Sequence, residues 1–394
     1  MASRPGVLHV PRGRERRVVA AVSEIVLHMD YVLMLAVGAL VGYGLWIVKT
    51  VTRDDIPGDE NFFFTRQALA VGLGVVAMLA LMWVSPEALR RLRYVGFALV
   101  VVLLGVVLVT EAVRGSRRWI DLGFYQLQPS ELGKVVAIVM LAAVLADRAR
   151  TGIGWRAIGS ALGVIGIPAV LIFIQPDFGT SLVYVAALVG ALIFAGTPWK
   201  YFAWLGSVTL VLAVAVLWVL PANDIQVLKP YQVDRLVGFI DPSSDPSDTT
   251  YNVTQSITAV GAGGLHGRGE AGATQTNLNY LPEHQTDFIF SSLAEQRGFL
   301  GAAILLLLYA VVLWRGIKVI AIAPSLYQAI LAGSIVVVFL FQIVVNVGMT
   351  IGIAPVVGIT LPFVSYGGSS MLTMLALMGL LQAIHVRGRL RLER

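Results

Sequence analysis

Three carboxylates, Glu283, Asp287 and Glu295, fall inside the stretch Tyr280–Gly301, just ahead of a long apolar run. Asp287 lies between a polar loop and Phe288-Ile289-Phe290, where a membrane surface would fall. An ionised group is costly beside lipid, so a carboxylate there is either a costly accident or a working group. Its chemistry is either proton acceptance as a general base or the holding of a hard cation together with ligand oxygens.

Cationic groups of opposite use stand elsewhere. Arg114-Gly115-Ser116-Arg117-Arg118-Trp119 offers guanidinium forks that grip phosphate bidentately. The competing reading is a Trp anchor with Arg side chains snorkelling around it. Glu131 and Lys134 are three apart and share one helix face, as a site pair or as a structural ion pair. Gln128-Pro129-Ser130 ahead of them reads as a helix start, with Ser130 as N-cap and Glu131 favoured by the helix dipole. Gln342 and Asn346 share a face further on, before the Pro- and Gly-rich run Pro355 to Ser370. Such polar residues join helices or line a cavity.

The elements that must carry these groups are membrane spans. The chain has 394 residues, of which 57% are hydrophobic and 13% charged, with a mean hydropathy of +0.80. That composition excludes a soluble globular protein. Apolar runs of about 17–25 residues, the length that crosses a bilayer, fall near 29–48, 65–84, 93–112, 131–147, 157–174, 178–195, 200–220, 298–320, 327–353 and 369–386. The expected fold is an all-α integral membrane protein of about ten transmembrane helices. Gly166, Pro168 and Gln175-Pro176-Asp177 suggest a broken helix or tight hairpin at the fifth and sixth.

Basic residues set the orientation. Arg4, Arg12, Arg14, Arg16 and Arg17 fall on the same side as Arg90, Arg91, Arg93, Arg148, Arg150, Arg156, Lys200, Arg315, Lys318, Arg387, Arg389, Arg391 and Arg394, so both termini are expected to be cytoplasmic. The formal charge of +6 is then met by anionic lipid heads and calls for no nucleic acid. The expected organisation is a basic cytoplasmic tail at 1–28, a transmembrane domain at 29–386 and a basic tail at 387–394. Val18–Leu27, interrupted by Ser23 and Glu24, is not read as a cleavable signal. With no Cys, disulfides, thiolate metal sites and Cys nucleophiles are excluded.

Between spans seven and eight lies a large extracytoplasmic loop, 221–297, far longer than a usual connection of about 4–6 residues. It runs from turn-formers at Asp241–Asp248 through a short helix at Tyr251–Val260 to glycines at 261, 263, 264, 267, 269 and 272. These suit a loop wrapped around a polar ligand, or a flexible connector.

Five blocks, in order, resemble the SEDS family (shape, elongation, division and sporulation). They are Arg118-Trp119 with Gln128 to Glu131 and Lys134; Gln175 to Ser181; Gln255-Ser256 through Gly264; Leu281-Pro282-Glu283 with Thr286 to Phe290; and Leu361-Pro362 with Ser365 to Ser370. The resemblance spans about residues 30–386. It implies a peptidoglycan glycosyltransferase in the bacterial cytoplasmic membrane that polymerises lipid II and works beside a class B penicillin-binding protein in the elongation machinery. Asn346 to Met349 and Ala354 to Ile359 look more like the RodA branch than the FtsW branch. One departure is visible: where members commonly read Pro-Glu-x-His-Thr-Asp, Gln285 takes the His position. A histidine role in this loop, and Arg268 as a replacement for a basic residue often found after the Gly-rich turn, are therefore in question.

On that resemblance Asp287 is the catalytic carboxylate, taking a proton from a sugar hydroxyl that attacks an anomeric carbon and expels undecaprenyl pyrophosphate with inversion. Arg117, Arg118 and Lys134 would offset the leaving charge. Trp119, Glu131, Gln255, Glu283 and Ser365 complete the candidate substrate site. A divalent cation, Mg or Mn, is the one cofactor to consider, with Asp287 as its alternative role; no organic cofactor is expected. Two rival functions are a lipid II flippase and a noncatalytic membrane scaffold for a penicillin-binding protein.

Overall fold

The computed structural model describes residues 23–110, 117–121, 123, 125–149, 152–223 and 248–393. The N-terminal arginines, Arg114, Arg150, Arg394 and the turn-formers Asp241 to Ser247 lie outside them. Ten long helices and one loop helix make up the described chain: α1 Tyr31–Val51, α2 Phe62–Trp83, α3 Pro86–Val107, α4 Pro129–Ala149, α5 Trp155–Ile174, α6 Phe178–Phe194, α7 Trp199–Val214, α8 Asp248–Gly263 (in the loop), α9 Ile289–Ala321, α10 Leu326–Thr350 and α11 Gly368–Leu392. The expected ten spans are thus present. Eight are long and apolar enough to cross a bilayer by composition alone, α7 being counted with the π-helical turn Ala215–Val219 that extends it. The other two are α6, with 17 residues, and α3, whose first turns carry Glu87, Arg90, Arg91 and Arg93.

The bundle is built around α4, α10 and α11. Lipid tails are as apolar as leucine, so helices associate through close fit and polar links rather than through hydrophobicity. Gly379 lets α11 lie against α2, since a Cβ there would stand 2.3 Å from the Met78 carbonyl. At the rim, α7 buries only Tyr201. The suspected break after α5 is a tight turn at Gln175–Asp177, and Pro168 is accommodated within the helix. Asp177 caps α6, accepting the Thr180 N–H at 3.2 Å.

The described start and end meet at one end of the bundle, where His28 Nε2 lies 2.8 Å from Glu393. Asp30, Glu87, Asp147 and most of the basic residues gather there: Arg315 pairs with Asp30 at 2.7 Å, Arg93 with Asp147 at 2.9 Å, and Arg90 with Asp147 as well. At the opposite end, a two-residue ribbon pairs Ile120 with Leu127 (β1 Ile120–Asp121, β2 Gln126–Leu127).

Two local expectations are revised. Pro129 takes the first position of α4, as a residue without an N–H can, so Ser130 sits inside the first turn and does not cap it; its hydroxyl has no partner, while its carbonyl accepts from Tyr184 at 2.9 Å. The loop expected at 221–297 turns helical before its end, from Ile289. α9 runs 33 residues but is interrupted at Gly298 (φ 66°, ψ −165°), dividing a loop half, Ile289–Arg297, from the span proper.

Candidate active site

Asp287 is presented by its apolar neighbours. Leu281 and Phe288 are buried with Met349 and Val356 in a small cluster beneath the loop, so the half-buried residues between them face away from it. Glu283 turns the chain with φ 51°. The segment is then pinned from below. Asn346, fully buried on α10, donates its amide to the carbonyls of Asp287 (3.0 Å) and Ile359 (2.7 Å). Ser365 donates to the Thr286 carbonyl at 2.6 Å and accepts the Leu361 N–H at 2.8 Å. Tyr366 N–H reaches the Gln285 carbonyl at 2.8 Å. Gln67 of α2 ties the same run from the other side, donating to Ser365 O at 3.0 Å and accepting from Gly367 N at 3.1 Å. Irregular backbone at this depth survives because each polar group finds such a partner.

Above these contacts lies a cavity of about 470 Å³. Asp287, Glu283, Arg118, Trp119, Glu131 and Lys134 all line it, although they come from three separated segments. Lys134 and Glu131 pair at 2.6 Å and are 3% and 5% exposed, each offsetting a burial that would be costly for either alone. The second oxygen of Glu131 has no hydrogen-bond partner among the described residues. Arg118 is aimed by the turn after α5: it donates to the carbonyls of Gln175 (3.0 Å) and Pro176, and stands 3.9 Å from Asp177. Gln128 holds that carboxylate's other oxygen at 2.9 Å. Trp119 stands at the entry to the β ribbon. Burial pushes the Tyr125 phenol up, so it stays protonated in the cavity wall.

Three expected residues fall elsewhere. Arg117 is exposed and folds back to the Leu108 carbonyl at the end of α3 (3.0 Å). Ser365 is buried as a link between backbone segments rather than a wall. Gln255 is half-buried on α8, outside the cavity lining; its neighbour Ser256 makes the contacts, to Ser291 Oγ (2.6 Å) and the Thr350 carbonyl (2.7 Å). His284 is also no substitute for the usual histidine. It is buried facing Asp55 at 3.2 Å, whereas Gln285 lines the cavity. Arg268 donates to Ala262 O at 3.0 Å and remains on the surface. Glu295, fully buried, accepts from Gln275 N, Thr276 N and Thr276 Oγ1 at 2.9, 3.0 and 2.7 Å, which makes it the anchor of the short helix Thr274–Asn277.

Arg66 joins the site without being foreseen from the sequence. It stands at the start of α2, its guanidinium 4.1 Å from the Phe62 ring centre, and lines the same cavity beside Phe63 and Tyr366. Its only signal was an Arg among aromatics at a span entry, which also describes a membrane anchor. The cavity thus sets four carboxylates, Glu131, Asp177, Glu283 and Asp287, beside three cations between aromatic walls, groups that can meet a phosphate-bearing sugar. Among the described residues no cluster of three or more His, Asp or Glu is arranged to hold a metal ion.

A family model described as "Cell cycle protein", covering FtsW, RodA and SpoVE, matches residues 27–390. Stage V sporulation protein E of Bacillus subtilis (strain 168) is 38% identical over 357 residues, 89% of this chain and 93% of that protein. Peptidoglycan glycosyltransferase MrdB of Escherichia coli (strain K12) is 33% identical over 365 residues, 92% of this chain and 95% of that protein. A chain solved in work on the structural coordination of polymerization and crosslinking by a peptidoglycan synthase complex superposes with a TM-score of 0.77 at 30% identity, over 91% of this chain and 98% of its own. Rod shape determining protein RodA of Thermus thermophilus gives 0.64 at 28% identity, over 91% and 96%.

Proposed function

This chain belongs to the SEDS family of FtsW, RodA and SpoVE proteins, and from that premise we infer that it is a peptidoglycan glycosyltransferase that polymerises lipid II in the Asp287 cavity. The observation that carries the reading is convergence: Asp287 from the outer loop shares one cavity with Arg118, Trp119, Glu131 and Lys134.

The reaction joins two lipid-linked glycans. A sugar 4-hydroxyl of one attacks the anomeric carbon of the other, and the Asp287 carboxylate takes the hydroxyl proton. The new C–O bond forms as the bond to the diphosphate breaks, and the electron pair leaves with undecaprenyl pyrophosphate. Single displacement inverts the anomeric centre. Arg66, Arg118 and Lys134 offset the charge that develops on the leaving group.

The wall carries three cations, Arg66, Arg118 and Lys134, against four carboxylates, Glu131, Asp177, Glu283 and Asp287. A diphosphate thus enters a cavity that lacks the charge to neutralise it. We therefore assign a divalent cation, Mg or Mn, to this cavity, where Asp287 would hold it as the alternative to accepting the proton. When bound it supplies countercharge to the leaving group.

The similarity to a chain from a peptidoglycan synthase complex supports a cross-linking partner, a class B penicillin-binding protein. The family and the basic end of the bundle support a bacterial cytoplasmic membrane with both termini inside. Placement in the elongation branch rests on the run Asn346 to Ile359.

Purified protein supplied with lipid II tests the assignment. Asp287→Asn is expected to make no glycan chains while melting normally. Undiminished chain synthesis in that variant would sink the catalytic role, and lipid movement across vesicles without polymerisation would favour a transporter.

A further inference from the structure

A second cavity, of about 330 Å³, opens at the opposite end of the bundle, where the start of α1 meets the last turns of α9 and α11. Asp30, Arg315, His385 and Arg389 form its walls, with His28 and Glu393 at its mouth. Both carboxylates are already occupied. Asp30 is 2% exposed; one oxygen accepts the Leu33 N–H at 3.0 Å, capping α1, and the other accepts Arg315 Nε and Nη2 at 2.7 Å each. Glu393 is held by His28.

Two donors remain. Arg389 is exposed and forms no ion pair among the described residues. His385 is 4% exposed, yet its Nδ1 has no hydrogen-bond partner among the described residues; Asp30 stands 3.9 Å away, too far to serve. A buried polar atom left this way costs about 1–3 kcal/mol, so a partner is expected in the cavity. With the carboxylates neutralised, the surplus is cationic. The space also exceeds the roughly 30 Å³ share of a single water. Basic pockets between spans at a membrane surface take acidic headgroups, and Arg387, Arg391 and Lys318 lie in the same last turns of α11 and α9, outside its lining.

We propose that this cavity binds the phosphate of an anionic phospholipid in the adjoining leaflet, with Arg389 and Arg315 as its cationic walls and His385 as the buried donor. Occupancy would clasp the starts and ends of three spans, two of which, α9 and α11, begin at the outer cavity. The proposal is independent of the glycosyltransferase reading.

Full-length protein in a neutral detergent is titrated separately with short-chain phosphatidylglycerol, phosphatidylcholine and inorganic phosphate, following binding by native mass spectrometry and the thermal midpoint. Phosphatidylglycerol is expected to bind saturably and raise the midpoint, and phosphatidylcholine to do neither. A matching rise with inorganic phosphate would overturn the lipid source and assign the site to a soluble anion. Arg389→Gln, at an exposed position, is expected to weaken phosphatidylglycerol about five-fold, the worth of one basic group at an anionic surface. His385→Phe removes the stranded nitrogen; its lipid-free midpoint should hold or rise while the lipid-induced rise disappears. Lys318→Gln, at the same end but outside the cavity, should bind as the parent does. Equal weakening in Lys318→Gln, or none in Arg389→Gln, would overturn the proposal in favour of diffuse surface attraction.

Discussion

Asn346 offers a sharp test of how Asp287 is held. Its amide nitrogen is the donor to two carbonyls, Asp287 at 3.0 Å and Ile359 at 2.7 Å. Asn346→Leu removes both bonds and leaves the Ile359 oxygen buried without a donor. Each stranded carbonyl costs about 1–3 kcal/mol; because the Asp287 oxygen is only part-buried, the two together should loosen the loop by about 2–4 kcal/mol. A displacement near 1 Å at a reacting group costs about 10²-fold in rate, so kcat for lipid II polymerisation should fall about 10- to 100-fold. KM should change far less, since the residues that meet the diphosphate are untouched. Asn346→Asp has nearly the same shape but turns an oxygen toward both carbonyls, so it should be at least as damaging. The assay is glycan chain synthesis by the purified variants, with thermal melting as the check on folding. Parental turnover in Asn346→Asp, with its fold intact, would refute the argument that these bonds place Asp287 for the reaction.

Other perturbations separate structural from chemical roles. Glu295→Gln sets an NH2 group against donors that now meet a carboxylate; it should cost about 2–3 kcal/mol and open the loop near 264–288 to protease before the bundle melts. Gly298→Ala combines φ 66° with a Cβ only 2.3 Å from Gly267 N, so a loss above about 3 kcal/mol is expected, whereas Gly38→Ala, with nothing within 4 Å, should be neutral or stabilising by up to about 1 kcal/mol. The His28 imidazole is held above its ordinary 6.5, first by the Glu24 carbonyl and then by Glu393. Its contribution is therefore fully present below that value and is lost as pH rises through the raised one; hydrogen exchange at the end of α11 should quicken across that window, and His28→Gln should abolish the dependence.

The spans were legible because lipid demands long apolar runs; even the boundary near residue 298 coincides with the Gly298 break. Asp287, Arg118 and Lys134 were legible because charge beside lipid is expensive and so conspicuous. Arg66 was not, since an Arg beside aromatics at a span entry has an ordinary use in anchoring. Arg117 and Arg118 are adjacent and chemically identical, and only the carbonyls of the Gln175–Asp177 turn decide which faces the cavity. Spacing placed Gln342 and Asn346 on one face but not against the Asp287 loop. Such partners meet through segments far apart in the chain, which local pattern does not encode.

The backbone run 359–367, at the floor of the active cavity, has a consequence for biogenesis. Its partners Gln67, Gln285, Thr286 and Asn346 all precede it in the chain. As the nascent protein enters the membrane, these four partners are already made when the irregular segment emerges. The order of synthesis thus leaves the cavity open until the end: the loop bearing Asp287 is delivered first and receives its floor only as the final span follows. An unfinished chain would carry the Asp287 carboxylate without the contacts that hold it in place.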